Sequence, residues 1–435
     1  MTVSAPPRPP APGRTAPDSK PLERDEIEAL VEALIEEARR ETRRRHRRYW
    51  ALAAFASVVG VGIVILLERA AASQPASSAL SAQSGAASGT ASARIAFLRG
   101  GPRPTDPAAP YKLELAVINA DGSGLRILTH GPWSRDDGGY RAVPVWSPDG
   151  RKLVFSKRVE RPGRPCKPVG RCNDEIYVIN ADGTGLRRLT QNAVIDGRPV
   201  WSPDGGRIAF LSWRYGPSAK RPTADIYVMN ADGSGQRMLT STRRGSWGEL
   251  AWSPEGEQIA FSAPADRLGA SDIFVINADG SGLRNVTNTV TTSFDFAWSP
   301  DGRQIAYLEG NVPGPRAPLF VVNADGTRKH ALTSPLMVDL GEPSWSPNGH
   351  TIAFTGVGGI YTVHADGTGL RKLTRILGWN FLPRWSPDAR LIVFASGRSG
   401  GSDLFVMNAD GGGQRNLTHT PNVSESIASW APAPG

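Results

Sequence analysis

Residues that carry chemistry are scarce in this chain: two cysteines, six histidines and five methionines among 435 residues. Two cysteines alone cannot complete a structural zinc site, and no two histidines stand at metal-ligand spacing. Neither a Ser, His and Asp set at recognisable spacing nor a phosphate-cradling glycine loop is present. Nothing in the sequence therefore calls for a cofactor, and no catalytic, cofactor-binding or metal-ligating residue is assigned. Basic blocks are scarce too. The formal charge is +9, yet the only dense run is Arg39 to Arg48, and the remaining basic residues are scattered among acids. A run that abuts an apolar segment orients a chain in a membrane. Nucleic acid is excluded as a partner on this reading.

Long apolar runs are rare as well. The one that exists, Tyr49 to Leu67, is nineteen residues without a charge, ended by Glu68 and Arg69. At roughly 1.5 Å per residue it reaches about 28 Å, enough for a hydrocarbon core of about 30 Å. A cleaved signal peptide is the competing reading, because Ala70, Ala71 and Ala72 offer small residues, but the long head before the run favours an uncleaved anchor. Seven arginines, Arg39, Arg40, Arg43, Arg44, Arg45, Arg47 and Arg48, precede it against a single Arg69 behind, which keeps the N-terminus cytoplasmic and the rest outside. Residues 1–21 are rich in proline and polar residues and read as a disordered tail. Across 22–48, Ile27, Leu30, Val31, Leu34, Ile35 and Ala38 fall at helical spacing, with acids early and arginines late as the helix dipole favours. This stretch is a juxtamembrane helix. The sharper alternative is that its apolar stripe pairs with itself or with a cytoplasmic partner such as a sigma factor, although it carries no Cys and only His46 and so lacks the zinc site of some anti-sigma domains. Residues 68–92 are rich in Ala, Ser and Gly, a flexible tether.

What the sequence has in abundance is glycine, proline and tryptophan, 48, 36 and 12 residues, and they recur with a period of about 40 to 60 residues. Each copy has four parts. A short strand ends in WSPDG or a variant at Trp146, Trp201, Trp252, Trp298, Trp345 and Trp385, with a degenerate seventh at Trp430. An alternating strand such as RIAFLS or QIAFSA follows, then a strand running into NADG, as in DIYVMNADG, and last a short strand ending in Leu-Thr or Val-Thr. Every part occurs seven times, and four strands per unit define a propeller blade. Residues 93–435 therefore read as an all-β, seven-bladed propeller preceded by one transmembrane helix. The chain enters at the second strand of a blade and leaves after the first strand of one, so Ile427 to Trp430 is expected to pair with residues 93–129 and close the ring three strands to one.

The repeated motifs do conformational work. In Ser-Pro-Asp-Gly, Pro presets φ, Asp bonds nearby backbone and Gly takes the left-handed position; Asn-Ala-Asp-Gly does the same for the next hairpin. One or two acids per turn are too few for a calcium loop. Each motif tryptophan is expected to bury about 150 to 250 Å² between blades, roughly 4 to 6 kcal/mol of gross apolar stabilisation, and so to be core and not a sugar platform. Cys166 and Cys172, in the insertion CKPVGRC of the second unit, are expected to form a disulfide outside the membrane and to staple that loop.

WSPDG followed by IAF, a DIYVMNADG strand and a closing Leu-Thr resemble the TolB-type, WD-like propeller repeats of bacterial envelope proteins, over residues 93–435. The resemblance implies fold and not activity. TolB is periplasmic and six-bladed and binds envelope proteins; seven copies, an anchor and no sign of TolB's N-terminal domain put the transfer of that role in doubt. The same repeat forms the gating propeller of prolyl oligopeptidase-like enzymes, whose hydrolase domain is not seen here, so peptidase activity is not expected.

With the WSP strand innermost, positions three and five before each tryptophan share one side by strand alternation. They include Arg141, Asp196, Arg198, Glu249, Asp295, Glu342, Asn380 and Glu425. They are either solvated residues at the loop end or a polar, mainly acidic funnel for a cation or a basic partner segment. The expected function is that of a non-enzymatic, single-pass bacterial membrane protein whose extracytoplasmic propeller binds an envelope protein or a small ligand. The alternatives are a transmembrane sensor or anti-sigma-like regulator acting through 22–48, and a metal-dependent propeller lyase or lactonase.

Overall fold

The alternating strands bury both of their faces, because each blade packs between two others. The computed structural model describes residues 93–433, apart from 101–111, 133–143, 160–172, 215–222, 241–248, 266–269, 311–316, 335–342, 375–378, 400 and 421–422. The tail 1–21, the helix 22–48, the anchor 49–67, the tether 68–92, Cys166 and Cys172 all lie outside the described residues, among which no helix is long and apolar enough to cross a membrane. Seven four-stranded antiparallel sheets are present. Blade 2 runs Val145–Trp146, Lys152–Val159, Asn173–Asn180, Arg187–Arg188, and blades 3 to 7 repeat that order with inner strands Ile195–Trp201, Leu250–Trp252, Thr292–Trp298, Ser344–Trp345 and Asn380–Trp385. Blade 1 is composite: Ser424–Trp430 pairs with Arg94–Gly100, which continues to Lys112–Asn119 and Arg126–Pro132. Ile95 faces Trp430 and Gly100 faces Ser424, the three-to-one closure expected from the repeat count.

The core is divided into seven slabs, one at each interface between neighbouring blades. Phe97, Phe155, Phe210, Phe261, Tyr307, Phe354 and Phe394 from the second strands are all fully buried. Six of them meet an aromatic ring of the third strand, as Phe261 meets Phe274, at 5.7–6.1 Å. Trp146, Trp201, Trp252, Trp298, Trp345 and Trp430 are buried, and Trp385 is partly so. The WSP strands surround the axis. Trp146, Trp252, Trp298, Trp345 and Trp430 each donate from Nε1, at 3.0–3.2 Å, to the carbonyl just before the preceding blade's tryptophan: Ser429, Val200, Ala251, Ala297 and Arg384 respectively.

The polar residues of the repeat act locally or as staples. Ser202 Oγ donates to Asp204 in the SPDG turn, and Asp232 accepts from the N–H and hydroxyl of Ser234 in NADG; those bonds hold both carboxyls below the usual carboxylate range. The motif threonine replaces a ladder rung: Thr190, Thr240, Thr287, Thr333, Thr374 and Thr418 accept the N–H of Ile176, Ile226, Ile273, Leu319, Ile360 and Leu404 at 3.0–3.1 Å. The scattered arginines of the outer strands join blades. Arg126, Arg187, Arg237 and Arg284 donate at 2.6–3.1 Å to the NADG carbonyls of the next blade, Asp182, Asp232, Ala278 and Ala324, and Arg415 donates to Ala120 across the closure.

Because NADG hairpins stand at one end of every blade and SPDG-type hairpins at the same end of blades 2 to 7, one face of the propeller is made of near-identical tight turns. The remaining described strand ends open toward the other face, where Val357 and Gly358 form a short turn.

Trp430→Ala is expected to cost about 3–5 kcal/mol in urea unfolding, as a buried aromatic should, whereas Trp379→Ala, at a side chain 86% exposed, leaves stability within about 0.5 kcal/mol. Gly233 sits at φ +87° with the Leu189 carbonyl 3.0 Å from where a Cβ would stand. Gly233→Ala should therefore lower stability by at least about 1 kcal/mol in the same assay.

Candidate functional site

The axis is lined by the residue just before each motif tryptophan. Val145, Val200, Ala251, Ala297, Ser344, Arg384 and Ser429 are all partly exposed beside their buried or part-buried neighbours. Six are small or aliphatic and one is arginine. Arg384 of blade 7 borders the same cavity, about 370 Å³ and open to solvent, as Ala251, Ala297 and Ser344 of blades 4, 5 and 6, so it reaches across the axis. Burial pulls its guanidinium below the usual arginine range, while the carboxylates of Glu249 and Asp295, facing it from blades 4 and 5, favour its charged form. Glu249 is held in place by the N–H of Phe296, which donates to its Oε2 at 3.1 Å. The column read from the sequence did not include Arg384. The signal was there, a lone arginine in a position that otherwise holds Val, Ala or Ser.

Simple alternation does not hold along the inner strands. Register shifts interrupt the strands of blades 1, 3, 5 and 7. In blades 3, 5 and 7 the residue three before the tryptophan lies in the shifted segment with positive φ: Arg198 at 54°, Asp295 at 47° and Leu382 at 56°. One extra residue moves everything upstream to the opposite face. Asp196, Asn380 and Glu425, five before their tryptophans, are consequently buried; Asp295 is buried as well, and Arg198 is partly exposed. Glu249 is partly buried, and Arg141 and Glu342 lie outside the described residues.

The buried position turns toward the preceding blade, where two carboxyl pairs form. Between blades 2 and 3, Glu175 accepts from Arg188 at 2.6 Å and from the Asn192 N–H at 3.1 Å, and Asn192 Nδ2 donates to Asp196 at 2.6 Å. Between blades 7 and 1, Asp403 accepts from Ser399 at 2.5 Å and Asn416 at 2.6 Å, and Glu425 accepts from Thr418 at 3.2 Å and from Thr420. Burial pushes Glu425 up to about 7, with the Asp403 carboxylate adding to the rise and the Thr420 and Thr418 hydroxyls opposing it. Asp403 stays below the ordinary range despite burial, because Ser399, Asn416 and the Thr420 N–H all donate to it. Gly397 to Gly401 carries the spacing of a nucleophile elbow, but it lies between two antiparallel strands and not between strand and helix, and the Ser399 hydroxyl is committed as a donor to Asp403. Among the described residues no group of three or more His, Cys, Asp and Glu side chains converges to hold a metal ion.

Glu425 makes the fold sensitive to alkali. The folded chain keeps a proton up to about pH 7 that the unfolded chain, with an ordinary glutamate near 4.5, has already released. The Glu425 contribution to stability is fully present below about pH 4.5 and is lost as pH rises to about 7. Glu175, also raised by burial, adds the same sign. Urea unfolding across this window should show the fall, and Glu425→Gln should flatten most of it.

The sequence pattern of the TolB beta propeller domain matches residues 133–242, 218–356 and 297–433. The chain is 36% identical over 77 residues to the Protein TolB homolog of Chlorobium luteolum, and 34% identical over 109 residues to the Tol-Pal system protein TolB of Alcanivorax borkumensis. Those segments are 17% and 25% of this chain and span only 18% and 21% of the relatives. Among solved structures, a puromycin-hydrolyzing peptidase of Mycobacterium tuberculosis superposes with TM-score 0.55 at 16% identity, over 73% of this chain and 53% of that one. An oligogalacturonate lyase in complex with manganese superposes with TM-score 0.53 at 16% identity, over 69% and 83%. At such identity these two likenesses concern the fold alone. With four-stranded blades throughout and its repeats matched across 133–433, well over half of the sequence, the chain belongs to the TolB β-propeller domain family.

Proposed function

We propose that this protein is a non-catalytic binding or scaffold protein, anchored in the bacterial membrane through 49–67, whose extracytoplasmic propeller engages an envelope protein through its loop face. One observation carries the reading: the strand ends not joined by tight turns open toward a single face around the axis, while the other face repeats the same two tight turns. A surface built of uniform turns offers a partner little to distinguish, and a rigid disc that presents diverse loops is the usual arrangement for recognition. The candidate contact groups are the carboxylates of the part-buried Glu249 and the buried Asp295, which face Arg384, so the partner segment that enters carries basic and hydrogen-bonding groups. The name of the Alcanivorax relative places it in the Tol-Pal system, which supports an envelope protein as the partner class. The anchor and its orientation rest on the uncharged run and its flanking arginines.

Cross-linking and pull-down of the full-length protein from its native membrane tests this, with three variants beside it. Loss of residues 1–48 should leave the captured partners unchanged. Glu249→Ala with Asp295→Ala should lower their recovery at least about tenfold, the size of effect expected for buried interface charges. Asp232→Ala on the turn face should not. A partner lost only with 1–48 would move the function to the cytoplasmic segment, and recovery unmoved by the mouth variants would overturn binding at the loop face.

A further inference from the structure

Five of the seven motif tryptophans clasp the preceding blade at the axis, and two do not. Trp201 Nε1 and Trp385 Nε1 are buried and, among the described residues, make no hydrogen bond. Each follows a blade whose inner strand is only two residues long, Val145–Trp146 and Ser344–Trp345. A second difference falls at the same two joints. In blades 1, 2, 4 and 6 the motif residue before the outer-strand arginine is an exposed leucine, Leu125, Leu186, Leu283 and Leu370. In blades 3 and 7 it is glutamine, and the glutamine reaches back to the preceding blade: Gln236 Nε2 donates to the Leu189 carbonyl at 3.2 Å, and Gln414 Nε2 to the Leu373 carbonyl at 3.3 Å. At these joints no indole bond fastens the axis and a glutamine bond is added at the rim, while between blades 2 and 3 the Glu175–Asn192–Asp196 chain also holds. What blade 7 keeps near the axis are bonds from main-chain donors to hydroxyls of blade 6, Leu382 N to Thr355 at 3.1 Å and Trp385 N to Ser344 at 3.4 Å, which a side-chain rotation releases.

We infer that the ring is a two-arc clamp: blades 3 to 6 form one stiff arc and blades 7, 1 and 2 the other, and the arcs rock about the rim glutamines so that the channel widens at Trp201 and Trp385. The chain closure lies inside an arc and not at a joint, since Trp430 and Trp146 both keep their clasps there. Arg384 belongs to one arc, and the Glu249 and Asp295 carboxylates that it faces belong to the other. The charged side chains across the axis therefore latch the two arcs, and a ligand group that competes for either sign opens the channel. This stands independently of which partner the loop face takes.

Indole N–H exchange in the full-length, ¹⁵N-tryptophan-labelled protein tests it, with assignment by single Trp→Phe variants. The indoles of Trp201 and Trp385 should exchange at least about tenfold faster than those of Trp252, Trp298 and Trp345, as local opening without a clasp allows. A missing hydrogen bond alone would give part of that, so the deciding arm is coupling. Arg384→Met, at the joint of blades 6 and 7, should speed exchange at Trp201 in the distant joint at least about fivefold while Trp252, Trp298 and Trp345 stay within about twofold. Arg384→Lys, which keeps the charge, should stay near the parent and controls for misfolding. Gln236→Leu with Gln414→Leu should speed exchange at both joints. Trp201 unmoved by Arg384→Met, or uniform exchange around the ring, would overturn the two-arc reading.

Discussion

A four-stranded blade has two apolar faces and cannot cover either by itself. Every slab of core in this molecule is therefore shared property, half from one blade and half from the next, and the dependence runs around the ring until the last blade leans on the first. Ser424–Trp430 completes that circuit by main-chain pairing to Arg94–Gly100 and by seating Trp430 and Ala428 against blade 7. Because stability is made at interfaces, the variation that matters is in how each joint is fastened, and less in the sheets themselves.

The polar residues follow the same economy. Turn carboxylates accept from their own serine or threonine two residues away, the motif threonines take over a rung of the ladder, and the outer arginines cap the carbonyls of the neighbouring turn. Buried carboxyls depart from this pattern: Glu175 with Asp196 and Asp403 with Glu425 come together at two of the interfaces, and Asp272 accepts from Asn285, Thr287 and the Thr289 N–H.

Much of this was legible in the sequence because the propeller is specified by short-range rules repeated seven times. Proline, aspartate and glycine at fixed offsets fix the hairpins, and a tryptophan at each copy fixes the inner strand, so blade number, strand order and closure could be counted. The inner strands upstream of the tryptophan were not legible in the same way. The bulges of blades 3, 5 and 7 each use a residue with positive φ, and Arg198, Asp295 and Leu382 share no chemistry that marks them for it. Asp tolerates that conformation, but Leu and Arg adopt it here only because the flanking pairs on both sides are already fixed. The displaced register then buries Asp196, Asn380 and Glu425, a consequence that no column of aligned repeats displays. Arg384 and the two glutamines were readable as departures from a repeat, although what each touches required the assembled ring.

The composite first blade also bears on how the protein is made. Its three N-terminal strands emerge early during synthesis, and the strand they need is among the last to follow. Throughout that interval Arg94–Gly100 presents an unpaired edge of alternating apolar residues, the kind of edge that recruits other strands. The contact that ends this exposure has nearly the longest sequence separation the chain offers, so its closure entropy is met late and in one step. A chain cut short before Ser424–Trp430 therefore has blades with no strand to close the ring on Arg94–Gly100.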